Sequence, residues 1–136
     1  MKLIVIFALL FCTVLADAAT VPATGIAVPG RDERASVSTW TPMATGDVGE
    51  AVQNPTYLKR SVQATGTFGG ATITMQGSND GTNWATLKDD SSTPADVALT
   101  ATGIMNIKTL TRFIRPSVTG GAAAAITVKL LIVRSN

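Results

Sequence analysis

One hairpin signal constrains the fold of this chain more than any other feature of its sequence. The segment Ala71–Gln76 alternates apolar with polar residues, as a strand with one buried face does. Asn79-Asp80-Gly81 follows, and these residue types tolerate the positive φ angles that tight turns require. A second short apolar run then ends at Leu87. The pattern predicts a β-hairpin with Asn79, Asp80 and Gly81 at its turn, and it contains no catalytic group.

Short segments of the same kind, separated by turn signals, recur from residue 36 to the end of the chain. We expect strands in Ser36–Thr41, Arg60–Phe68, Trp84–Leu87, Val97–Thr100, Gly103–Ile107, Arg112–Arg115 and Ala125–Val133. Pro42 and Pro116 are expected to end the strands before them, because proline cannot donate to a sheet ladder. Together with the hairpin, this pattern predicts an all-β fold. The expected architecture is an antiparallel β-sandwich of about seven to eight short strands, and a jelly roll is one such arrangement.

Composition excludes several classes of function. The chain has 136 residues, which suits a single domain. It has no histidine, and Cys12 is its only cysteine. Ser-His-Asp and Cys-His catalytic sites, His/Cys zinc sites and intramolecular disulfides are therefore excluded. The net charge of +2 is also far from the basic surface of a nucleic-acid-binding protein. We expect a non-enzymatic structural or adhesive protein with no cofactor and no nucleic-acid partner.

Two segments precede the predicted sandwich, which we place at residues 36–136. Residues 1–18 combine Lys2, the apolar run Leu3–Leu15 and the small residues Ala16 and Ala18, which is the pattern of a secretory signal. The run is short for a membrane span, which needs about 20 residues. The alternatives are a misassigned start and an apolar arm that packs against a partner. Residues 19–35, which contain Pro and Gly, are expected to form an extended linker or an arm that reaches a neighbouring subunit.

Four motifs in this order resemble those of a family of small tailed-bacteriophage proteins: Trp40–Asp47, Arg60–Phe68, Gly77–Trp84 and Arg112–Pro116. Members of that family are described as virion structural, head-decoration or capsid-cementing proteins. The resemblance covers about residues 37–134. It implies a place on the capsid exterior, with the major capsid protein as partner. It also implies self-association as a homodimer or homotrimer, and no membrane contact for the mature chain. A phage tail or fibre component is the alternative within the virion.

A second resemblance competes with the first. Gly77–Trp84, followed by the strand Arg112–Arg115, is also similar to discoidin domains of the coagulation factor V/VIII C type. Those domains are jelly rolls that bind glycans or lipid headgroups, and they have additional strands ahead of this motif. This resemblance implies a secreted glycan- or lipid-binding module, and a true signal at residues 1–18 would place the protein outside the cell.

The candidate interface lies in two strands. Arg112 and Arg115 flank Phe113-Ile114, and either arginine could pair with an acidic group of a neighbouring subunit. The segment Ala125–Val133 starts as an alternating strand and ends apolar on both faces, as a central or interface strand would. The interface candidates are Arg112, Arg115, Ile126, Val128, Leu130, Leu131 and Val133.

Other residues that could bind ligands have simpler explanations. Trp40 and Trp84 could stack on sugar rings, but such residues more often fill a sandwich core. Calcium requires six to eight oxygen ligands. The spacing of the candidates Asp80, Asp89, Asp90 and Asp96 does not show that they converge. Ser61 and the threonines have no base to activate them. We therefore predict no catalytic residue and no metal site.

Overall fold

The structure of the protein is a computed structural model that describes residues 18–27, 35–53 and 59–134. Twelve β-strands and no helix occur in these residues. Seven strands have four or more residues: β2 (Thr24–Ala27), β3 (Ala35–Met43), β6 (Lys59–Thr67), β7 (Thr72–Ser78), β10 (Gly103–Asn106), β11 (Phe113–Thr119) and β12 (Ala125–Val133). The others have two residues each: β1 (Thr20–Val21), β4 (Val48–Gly49), β5 (Val52–Gln53), β8 (Ala85–Thr86) and β9 (Ala98–Leu99).

The strands form two sheets, which enclose one hydrophobic core. Sheet A has the order β1-β4-β11-β7-β8, and in addition β5 pairs with β11 and β9 pairs with β7. Sheet B has the order β10-β6-β12-β3-β2. Among the described strands, β1 and β4 are parallel and the other pairs are antiparallel. The prediction of an all-β antiparallel sandwich is confirmed.

The strand order identifies the arrangement as a jelly roll. When β4 with β5 and β8 with β9 are each counted as one interrupted strand, and β1 and β2 are set aside, eight strands remain. They form the sheets β10-β6-β12-β3 and β4/β5-β11-β7-β8/β9. Along the chain these strands change sheet at every step except from β7 to β8. Two four-stranded sheets connected in this way are the architecture of a jelly roll. The predicted number of seven to eight strands matches these eight; the described residues contain twelve because two of the eight are interrupted and β1 and β2 are additional.

The core is built by alternation along the longer strands. In β12, the residues Ile126, Val128, Leu130 and Ile132 are buried, while the residues between them face outward. Burying each such side chain contributes about 1.5–3 kcal/mol relative to leaving it in water. Trp40 of β3 is 0% exposed, and its Nε1–H donates to the Glu50 carbonyl at 3.0 Å. Trp40 is therefore a core residue and not a sugar-stacking one.

The prediction that Pro116 ends a strand is wrong, because Pro116 lies inside β11 opposite Met75 of β7. The Met75 N–H donates to the Val97 carbonyl, and the Met75 carbonyl accepts from the Leu87 N–H. Both backbone groups of Met75 thus point away from β11, so the nitrogen of Pro116 faces the opposite side. On that side, β11 pairs with β5 at Ile114 and with β4 at Ser117, and the ladder is interrupted between them. The missing N–H of Pro116 therefore costs no ladder hydrogen bond.

Pro42 also lies within a strand rather than ending one. β3 continues to Met43, and the Thr41–Pro42 peptide bond is cis. The pairing of β3 with β12 shifts register between Ile126 and Val128, so β3 carries an extra residue at this point. Such a bulge leaves a residue outside the ladder, which is where a strand accepts proline.

The segment predicted as a linker contributes two strands to the sandwich. β1 lies beside β4, and β2 forms an edge of sheet B beside β3. Asp47 and Glu50 hold this segment through hydrogen bonds from the backbone N–H groups of Ala19 and Ala23, at 3.1 and 3.0 Å. The extended-linker interpretation is therefore wrong for residues 20–27. Residues 28–34 of the linker and residues 1–17 of the leader lie outside the described residues.

Candidate binding sites

The predicted hairpin is formed by β7 and β8, which pair antiparallel at Gln76–Thr86 and Gly77–Ala85. Gly81 has a φ of +77°, a value in the left-handed region that glycine adopts at little cost. Asp80 organises the loop: its Oδ1 accepts from the backbone N–H groups of Thr82 and Asn83, both at 2.8 Å, and from the Ser78 hydroxyl at 2.8 Å. Its Oδ2 accepts from Asn83 Nδ2 at 2.7 Å.

This hydrogen bonding determines the electrostatics of Asp80. The bond from the Asn83 side chain, followed by those from the Asn83 and Thr82 N–H groups and from Ser78, holds the pKa of Asp80 far below its ordinary value. A carboxylate with both oxygens engaged inside its own loop is a structural element. Asn79 has a similar role, since its Oδ1 accepts from the Arg112 N–H at 3.1 Å and ties the loop to the start of β11.

Arg112 and Arg115 are each engaged within their own chain. The Arg115 guanidinium stacks on the Trp84 ring, 3.9 Å from its centroid, and its Nε donates to Gln76 Oε1 at 3.0 Å. The Arg112 guanidinium lies 5.0 Å from the centroid of the Phe113 ring. With the Gln53 amide turned so that its oxygen faces Arg112, that oxygen accepts from Nε at 3.1 Å and from Nη2 at 3.2 Å. Both arginines therefore brace the loop end of sheet A.

The interface candidates in β12 fall on two opposite faces. Ile126, Val128 and Leu130 are completely buried in the core of the domain itself, so the expectation that these three would meet a partner is corrected. Leu131 and Val133 face outward on sheet B, and Leu131 is 37% exposed.

The outward residues of β12 continue into an apolar surface. Register places Leu131 opposite Val37 of β3, and Val37 opposite Ile26 of β2, so the three side chains share one face. Ile26 is 65% exposed. We call Ile26, Val37, Leu131 and Val133 the outer patch. The sequence indicated only its β12 half, because the β2 half depends on a strand that was not predicted.

The acidic residues considered for calcium binding serve other purposes. Asp89 caps its own loop, where Oδ1 accepts from the Ser91 hydroxyl at 2.7 Å and from the Ala95 N–H at 2.9 Å. These bonds, the Ser91 one first, lower the pKa of Asp89. Asp96 forms a surface ion pair with Lys88 at 2.7 Å. No group of three or more acidic, histidine or cysteine side chains that could hold a metal occurs in the described part of the chain.

A buried arginine beside a cavity is the feature that the sequence interpretation missed. Arg60 of β6 is 4% exposed, and its Nη2 donates to the Thr109 carbonyl at 2.7 Å. The cavity has a volume of about 390 Å³ and is lined by Lys59, Arg60, Asp90, Asn106, Ile107 and Lys108. Alternation along β6 could have revealed it. Arg60 is two and four residues from Val62 and Ala64, which face inward, so it lies on the same face of the strand.

Comparisons of the chain with protein-family models, with curated proteins and with solved structures find no match. No helix in the described ranges has the length and apolarity to cross a membrane.

Proposed function

We propose that this protein is a non-enzymatic structural protein of a tailed-phage virion, which decorates the capsid by binding across adjacent major capsid subunits. The observation that carries the proposal is the outer patch, in which apolar side chains of three neighbouring strands face outward together and offer a surface for association between copies of the chain. Contiguous apolar surface on a soluble domain marks a site of association with another protein. The ordered motifs that resemble phage head-decoration proteins supply the class of partner.

The proposed mechanism is mechanical and requires no reaction. A protein that binds the assembled shell, and not the free capsid subunits, shifts the equilibrium toward the shell by mass action. Self-association through the outer patch, as a homodimer or homotrimer, would place several capsid contacts in one symmetric unit. Binding across subunit boundaries then resists the separation of the subunits.

Quantitative mass spectrometry of purified virions tests this proposal, and it should include the N-terminal peptide of the protein. We expect a copy number comparable to that of the major capsid protein. A few copies per particle would instead indicate a tail or fibre component. Absence from the particle would overturn the virion proposal, and the N-terminal peptide would show whether the chain starts at Met1, at Ala19 or later.

A second candidate function is a secreted glycan- or lipid-binding module. The jelly-roll strand order favours it, since the discoidin domains that the sequence also resembles are jelly rolls. Recovery of a form starting at Ala19 from the culture medium, with none in virions, would favour this module. Binding to glycan arrays or to anionic vesicles in the absence of any virion would then identify its ligand.

A further inference from the structure

Arg60 is a buried cation with unused hydrogen-bonding capacity. Its Nη2 has an acceptor in the Thr109 carbonyl, but its Nε and Nη1 are buried and have no acceptor within the described residues. These two nitrogens carry three of the five N–H donors of a guanidinium. Buried polar groups are normally hydrogen-bonded, and leaving a charged donor unpaired is costly. Arg60 is therefore a buried charge that the described residues leave largely unpaired.

The surroundings of Arg60 carry an excess of positive charge. Lys59, Arg60 and Lys108 line the cavity together with one carboxylate, Asp90, so the lining has a formal charge of +3 − 1 = +2. Asp90 is oriented by Asn106, whose Nδ2 donates to its Oδ2 at 3.2 Å. The wall is fixed by backbone bonds from Ile107 N–H to the Arg60 carbonyl and from Lys108 N–H to the Lys88 carbonyl, both at 2.9 Å.

The nearby carboxylates do not neutralise Arg60. Asp89, which lies close enough to Lys108 to interact with it electrostatically, is held by Ser91 and Ala95. Asp96 is paired with Lys88. Burial lowers the pKa of Arg60, but an arginine keeps its proton in proteins. Within the described residues, the site thus keeps a net positive charge.

We infer that this cavity binds an oxyanion: a phosphate, sulfate or carboxylate group. Arg60 supplies a buried positive charge beside the cavity, and Lys59 and Lys108 supply further charge at the rim. Arginine and lysine side chains are the usual partners of oxyanions in proteins. The cavity volume lies within the range of small-molecule sites, so the anion can be free or carried on a larger group. The inference does not depend on the proposed virion function.

The test is a titration of the full chain with sodium phosphate, sodium sulfate and sodium acetate, with sodium chloride at matched ionic strength as reference. Binding is followed by NMR through the side-chain N–H signals of Arg60 and Asn106. We expect saturable shifts with at least one oxyanion and none with chloride. Arg60→Met should weaken that binding at least about tenfold, since the positive charge beside the cavity is lost. Lys129→Met, on the outer face of sheet B, is the matched control and should bind as the wild type does.

The preference among anions identifies the source of the ligand. Tighter binding of phosphate or sulfate indicates a tetrahedral anion, and tighter binding of acetate indicates a carboxylate such as that of an acidic side chain. Identical responses to oxyanions and chloride would overturn the inference, as would unchanged affinity in Arg60→Met. If Arg60→Met does not fold, the double variant Lys59→Met/Lys108→Met replaces it, because both lysines are exposed. Wild-type affinity in that double variant would then count against the site.

Discussion

At the scale of single residues, Gly49 lies in a contact that leaves no room for a side chain. A Cβ added there would lie 2.5 Å from Cδ of Pro116 and 2.8 Å from Cδ1 of Trp40. Both neighbours are buried, so neither can move away freely. The same contact shows why a proline is accommodated in the middle of β11, since its ring fills the space above Gly49.

We therefore expect Gly49→Ala to lower the free energy of unfolding by about 1–3 kcal/mol through overpacking. Gly25→Ala is the matched control, because a Cβ at Gly25 has nothing within 4 Å and the residue is exposed. That control should change stability by less than about 0.5 kcal/mol. Urea denaturation of the two variants measures the difference, and equal effects would contradict the packing interpretation.

Asp80 provides a pH-dependent prediction. Its pKa in the folded protein lies below the ordinary value of 3.8, so its ionised form stabilises the fold. This stabilisation is fully present above pH 3.8. It is lost as the pH falls through the lower pKa that Asp80 has in the folded protein. Asp80→Asn should therefore lower the Tm at neutral pH, and its Tm should converge with that of the wild type in acid. Thermal unfolding across this pH range checks the trend, and a constant Tm difference would contradict it.

The sequence predicted some of these single-residue roles and missed others. Asn79, Asp80 and Gly81 were identified because turn chemistry is local. Arg60 was missed because arginine is usually exposed. The alternation of β6 nevertheless places Arg60 on the inward face of the strand. Its acceptor at Thr109 lies 49 residues away, and nothing local in the sequence indicates that contact.

At the scale of elements, two adjacent leucines of β12 lie on opposite faces of sheet B, one in the core and one on the surface. Leu130 is fully buried and Leu131 is outward. Leu130→Ala should cost about 2–5 kcal/mol of stability, because it leaves a cavity between the sheets. Leu131→Ala should cost about 1 kcal/mol in the monomer, because its side chain is only partly covered. Urea denaturation of both variants at low protein concentration tests this, and similar losses would show that the outward face is also packed.

Strands were predicted correctly where apolar and polar residues alternate in the sequence. The prediction failed where a strand exists, or continues, only because of the strands beside it. β7 and β12 were predicted because apolar residues alternate along Ala71–Gln76 and at the start of Ala125–Val133. The continuation of β11 through Pro116 depends on a gap between β4 and β5, which is a property of neighbouring strands. β1 and β2 are short and punctuated by Pro22, and they are strands because of their partners β4 and β3.

At the scale of the whole molecule, the outer patch predicts self-association. The double variant Ile26→Ser/Leu131→Ser removes its two most exposed side chains and should shift the protein toward monomer. Ile104→Ser is the control. Ile104 is as exposed as Ile26, but it lies on β10, at the edge of sheet B opposite to β2. Sedimentation equilibrium of the wild type and both variants measures this. Unchanged association in the double variant would exclude the outer patch as the contact.

The jelly-roll order is the property of the whole molecule that the sequence left open. Composition and turn spacing predict a sandwich, but several strand orders satisfy the same alternation. The actual order depends on pairings between distant segments, such as β12 with β3, in which Val133 lies opposite Ala35.

That pairing has a consequence for when the protein can fold. β12 is the last described strand along the chain, yet it is the middle strand of sheet B, between β6 and β3. During synthesis, β3 and β6 emerge early and wait with unpaired edges until residues 125–133 leave the ribosome. Unpaired strand edges promote aggregation, so we expect a chain that ends before residue 125 to aggregate. The outer patch also needs Leu131 and Val133, so only copies that contain β12 can present it.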